Sequence, residues 1–117
     1  MNDVRHARWL FGAAAAFNVA ATLATLAQLR DAEGTQVSFL AVAAALVAAF
    51  GYAYLRVAQD HRAYRVYVEL GIVGKSLAVA AMVAAWAFST GDGQILVFAA
   101  ADATFVVLFA RFLRQTR

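Results

Sequence analysis

Apolar residues run along this chain in four long blocks, separated by short polar stretches. The blocks cover residues 9–29, 37–57, 66–88 and 95–113. Each has roughly the 20 residues that a helix rising about 1.5 Å per residue needs to cross about 30 Å of hydrocarbon. The connections, residues 30–36, 58–65 and 89–94, are short enough to make consecutive helices antiparallel neighbours. The pattern predicts an all-α fold: an integral membrane up-down four-helix bundle, a single transmembrane domain over residues 1–117.

Composition strengthens the membrane expectation. Apolar residues make up 64% of the chain and charged residues 15%, with a mean hydropathy of +0.69, against about half and a quarter in soluble domains. A soluble, alanine-rich bundle is the alternative. A domain this small has too much surface per volume to hide so many apolar side chains from water. The first block follows a basic start but exceeds the roughly 7–15 apolar residues of a signal-peptide core, so it is expected to remain as a span. The chain has no proline, so no span carries the proline breaks seen in many transporters. Cysteine is also absent, which excludes disulfides, thiolate metal sites and cysteine nucleophiles.

Charge sets a direction. Arg5, Arg8, Arg56, Arg62, Arg65, Arg111, Arg114 and Arg117 flank one side of the four blocks, and Arg30 stands alone on the other. Arginine collects on the cytoplasmic face of membrane proteins, so both termini are expected to be cytoplasmic, in a multi-pass protein of the inner membrane. Orientation thereby accounts for the net charge of +3, and a nucleic-acid partner is not expected. The acidic Asp31, Glu33 and Asp92 fall on the outer side. Tyr52, Tyr54, Tyr64, Tyr67 and Trp9 fall at the inner interface and Trp86 near the outer one, as amphipathic rings do at headgroup level.

Three polar residues lie deep within the blocks: Asn18, Lys75 and Asp102. Asn18 and Lys75 are both about 13 Å from the inner face, with Asp102 about 5 Å further out. A charge at the bilayer centre costs several kcal/mol unless it is paired. Lys75 is therefore expected to meet Asp102 inside the bundle, with Asn18 as a third member. Two roles stay open for this polar core. It is either interhelical glue or a ligand-binding or permeation site. Glu69, near the inner interface, is expected to pair with Arg65 one turn earlier. Gly71 and Gly74 beside Lys75, Gly12 with Ala16, and the runs Ala13–Ala16 and Ala43–Ala45 offer small-residue surfaces for close helix packing.

Catalytic signals are missing. His6 and His61 both lie at the inner surface, where neither reaches a haem or metal inside the bundle. Asp60 with His61 reads as a solvated loop pair. Ser38, Ser76, Thr22, Thr25 and Thr104 have no histidine at matching depth, so no nucleophile–base pair is evident. A Gly-Lys step at Gly74 lacks the rest of a phosphate-binding loop. No cofactor, metal or catalytic residue is expected.

The segment Ala58-Gln59-Asp60, followed by Gly71-Ile72-Val73-Gly74-Lys75, resembles small bacterial four-span membrane proteins. In that family an A-R-D-P-like inner loop precedes G-x-x-G-K in the third helix, and an acidic or amide residue often follows in the fourth. Asp60, Gly71, Gly74, Lys75 and Asp102 match that layout, while His61 stands where proline is usual. The resemblance covers about half the chain and implies the four-span fold. It carries no established activity.

Function therefore rests on the polar core and the packing faces. The first expectation is a non-enzymatic membrane module that binds a membrane-protein partner, a second copy of itself, or a small or lipidic ligand. The alternative is a compact dimeric transporter or channel. A small membrane enzyme acting on a lipid-soluble substrate through Lys75 and Asp102 is the third.

Overall fold

The computed structural model describes residues 2–88 and 93–117. Four α-helices account for most of them: α1 (Asp3–Ala27), α2 (Thr35–Gln59), α3 (Arg65–Phe88) and α4 (Gln94–Gln115). There is no strand among the described residues. All four helices are long and apolar enough to cross a membrane. Asp92 and most of the 89–94 connection lie outside the described residues.

Every helix starts before its apolar block, and α2 and α4 also run past its end, because a helix continues until its backbone is capped. α1 begins six residues before Trp9, where the Asn2 side chain accepts a hydrogen bond from the Val4 N–H at 2.9 Å. This satisfies one of the orphan donors of the first turn. At its other end α1 tightens into a short 3-10 turn, Gln28–Asp31. The chain then reverses at Gly34, whose φ of 59° lies in the left-handed region that only glycine enters without strain. α2 ends at Asp60, which turns out of helical geometry. Its carboxylate Oδ1 accepts from the backbone N–H groups of Arg62 and Ala63 at 3.2 and 3.1 Å. The Tyr64 N–H closes the turn onto the Asp60 carbonyl at 3.1 Å. An aspartate that binds its own loop backbone is a common turn-former.

The chain divides into two compact units, one up to Tyr64 and the other from Arg65. Each is a helical hairpin: α1 packs on α2, and α3 packs on α4. In the first, Ala7, Leu10, Phe11, Ala14 and Asn18 are buried on one face of α1, at the three- and four-residue spacing of a helical stripe. Phe11 and Phe50 both set their rings against Tyr54, with centroids 6.4 and 6.2 Å away, a separation at which tilted rings attract. Tyr54 is fully buried, so it belongs to the core of the hairpin and not to the interfacial belt expected of it. Tyr52, two residues earlier, is 62% exposed, and the difference follows from the ~100° each residue turns about the helix axis.

In the second hairpin Val68, Gly71 and Lys75 are buried on α3, and Ala99, Phe109 and Phe112 on α4. Elsewhere the surface is strongly apolar. Trp9, Phe39, Leu77, Phe88 and Val107 are all exposed.

Candidate functional site

Lys75 stands on the third turn of α3 and Asp102 on the third turn of α4. The Lys75 ammonium donates to Asp102 Oδ1 at 2.5 Å, with the two side chains only 6% and 13% exposed. Such charge-assisted contacts are short and strong. The ammonium also lies 5.1 Å from the ring centroid of Phe105, three residues along α4 from Asp102. That is within the range of a cation–π attraction. Phe105 in turn meets Phe109 at 5.8 Å. A charge that composition alone makes expensive is thus met by an opposite charge and an aromatic face on one helix. Gly71, one turn before Lys75, is buried and Gly74 is half-buried.

Within the first hairpin, Asn18 of α1 is tied to α2. Its amide Nδ2 donates to the Val47 carbonyl of α2 at 3.0 Å. In an α-helix that carbonyl also accepts from the N–H of the residue four later, which here is Gly51. A helical side chain leans back over the turn before it, so a larger residue at 51 would screen the Val47 oxygen. Gly51 leaves it open. A methyl group there would sit 3.2 Å from the Asn18 Cβ and 3.7 Å from the Ala15 carbonyl oxygen, so α1 approaches α2 at the one place where α2 has no side chain. Gly12, singled out with Ala16 for close packing, has open space where its Cβ would be. In the alanine runs Ala14 and Ala44 are buried, while Ala13, Ala16, Ala43 and Ala45 are exposed.

The expected Arg65–Glu69 pair is not formed. The Arg65 guanidinium reaches the C-terminus of α4, where Nη2 donates to the Leu113 carbonyl at 2.8 Å. Nη1 donates to the Thr116 carbonyl at 3.2 Å and to its hydroxyl at 2.8 Å. That hydroxyl donates onward to the Phe112 carbonyl at 2.8 Å. The last carbonyls of a helix lack intrahelical donors and carry partial negative charge, so they hold a fixed cation in several contacts at once. Arginine placed before glutamate is also the less favourable order for a pair four residues apart. Glu69 is left exposed.

Three threonine hydroxyls inside the apolar blocks turn back on their own helices. Thr22 donates to the Asn18 carbonyl, Thr25 to Ala21 and Thr104 to Ala100, each at 2.8 Å. This satisfies each hydroxyl without water or a second helix. Near the turn after α2, Arg56 donates to Gln59 Oε1 at 3.1 Å and to the Tyr64 hydroxyl, and its guanidinium lies 4.7 Å from the Tyr64 ring centroid. His61, expected in a solvated pair with Asp60, is buried to 7% exposure, while the Asp60 carboxylate faces the loop backbone. Among the described residues, no group of three His, Cys, Asp or Glu side chains gathers where a metal ion could be held.

Chemically, Lys75 and Asp102 join α3 to α4 through an ion pair. Asn18 joins α1 to α2 with a neutral hydrogen bond. No family model, curated protein or solved structure matches the chain.

Proposed function

We infer that this is a multi-pass protein of the cytoplasmic (inner) membrane, with both chain ends and the turn after Asp60 on the cytoplasmic side. Its four spans would complete the up-down bundle expected from the apolar pattern. The role proposed is a non-enzymatic binding module whose partner is another membrane protein, met in the plane of the bilayer.

One observation carries this reading. Only 11–22% of each helix's most apolar window is buried within the chain. The remaining apolar surface needs lipid or a partner to cover it. Meanwhile Asn18, Lys75, Asp102 and the threonines Thr22, Thr25 and Thr104 are engaged with one another or with backbone, and most of what the helices expose is apolar. Helices meet in lipid through such contacts. The arginine bias supports the orientation.

A compact dimeric transporter is the second reading, favoured by the Lys75–Asp102 pair, because ionisable groups within spans often line a pathway. Cysteine labelling tests the topology. Glu33→Cys should react with impermeant thiol reagents from outside intact cells, and Arg62→Cys should not; the reverse pattern overturns the orientation. Photo-crosslinkers at Phe39 and Leu77 test the role. Discrete adducts with one membrane protein support the module. Adducts with lipid alone, together with solute flux in liposomes holding only this chain, would replace it with the transporter.

A further inference from the structure

The end of the first hairpin that carries Asn2 and Asp60 has a depression lined by Val4, Ala58, Gln59, Asp60, His61 and Arg62. Its charge is unevenly disposed. One oxygen of the Asp60 carboxylate, Oδ1, accepts from the backbone N–H groups of both Arg62 and Ala63. The Arg62 side chain is exposed and makes no ion pair among the described residues. Arg8 lies four residues after Val4 and so shares its side of α1, with Arg5 next to Val4. Both arginines are exposed. Val4, itself 48% exposed, adds an apolar wall, and Trp9 beyond it is 76% exposed. At the other end of the same hairpin Arg30 is outnumbered by Asp31 and Glu33.

We propose that this depression binds the headgroup of an anionic phospholipid, with Arg62 and Arg8 holding the phosphate and Val4 against the glycerol and upper acyl carbons. The inference rests on the membrane reading above, which places this end of the hairpin at headgroup depth. A guanidinium fork matches phosphate oxygens two at a time, and basic residues at the membrane surface attract anionic lipid. The depression adds a shaped recess in which one lipid is held in preference to its neighbours.

The test is native mass spectrometry of the full chain released from nanodiscs of mixed phosphatidylglycerol and phosphatidylcholine. The wild-type protein should retain one phosphatidylglycerol in preference to phosphatidylcholine. Arg62→Gln and Arg8→Gln should each lower that retention about fivefold, the equivalent of about 1 kcal/mol per arginine. Arg111→Gln with Arg114→Gln, and Arg30→Gln, should leave it unchanged. Equal retention of the two lipids overturns the site. So does an equal loss in the Arg111/Arg114 variant, which would reveal a diffuse basic surface. Displacement of the lipid by inorganic phosphate would reassign the recess to a free anion. A chain that washes off membranes in alkaline carbonate refutes the membrane reading, whereas an inserted chain without lipid preference refutes this site alone.

Discussion

In the first hairpin a neutral amide joins α1 to α2, whereas in the second an ammonium and a carboxylate join α3 to α4. The two contacts look alike as distances, at 3.0 and 2.5 Å, but they differ in what each leaves behind when broken. Val47 keeps its helical donor if Asn18 is removed, so that carbonyl is not stranded. Removing Lys75 leaves Asp102 without its counter-charge in a buried place. The amide adds affinity to helices that already fit, and Gly51 makes that fit. The ion pair is a commitment, because each partner makes the other tolerable.

This contrast predicts unequal costs. Lys75→Met should be the most damaging single change, lowering the stability of the second hairpin by about 3 kcal/mol, the scale for breaking one side of a buried pair. Denaturant titration in mild detergent measures that loss. A loss no larger than that of an exposed substitution would remove the distinction between the hairpins.

Gly51→Leu comes next, at about 2 kcal/mol. Its effect should appear as a weakened α1–α2 contact, read by crosslinking between cysteines placed on those two helices. A stable Gly51→Leu protein with normal crosslinking would mean that α1 does not approach α2 at this point.

Asn18→Leu should cost least, about 0.6 kcal/mol, the average for hydrogen bonds between membrane helices. The same unfolding titration reads it. A loss equal to that of Lys75→Met would show that Asn18 also carries a stranded partner, contrary to the comparison.

The two sites were also unequally legible from sequence. Lys75 and Asp102 announce themselves, since charges within apolar blocks are rare and similar depth on consecutive helices suggests a meeting. Asn18 is just as visible, but the group it donates to within its hairpin is a backbone carbonyl, which every residue has. The available signal was Gly51, the gap in α2 that exposes that carbonyl, and it was hidden among more conspicuous small-residue runs. Arg65 misled for a related reason. Spacing along its own helix pointed to Glu69, while the group that holds it is the end of another helix, a feature of tertiary structure. Helix number and approximate extent were legible throughout, because span length follows from hydrocarbon thickness. The helix ends were not, because they depend on caps such as Asn2 and Asp60 that lie outside the apolar pattern. Tyr54 went astray because depth along a helix does not say which way its face turns.

The most direct test of the ion pair as a structural lock is a double-mutant cycle on Lys75→Met and Asp102→Leu, with unfolding free energy measured for all four proteins in the same detergent. The two apolar replacements together remove both charges and fill comparable volume. The lock predicts that the double variant recovers most of the stability lost by Lys75→Met alone, with a coupling energy of at least 1 kcal/mol between the positions. Losses that simply add across the two positions would contradict it, because residues whose costs are independent do not hold each other in place.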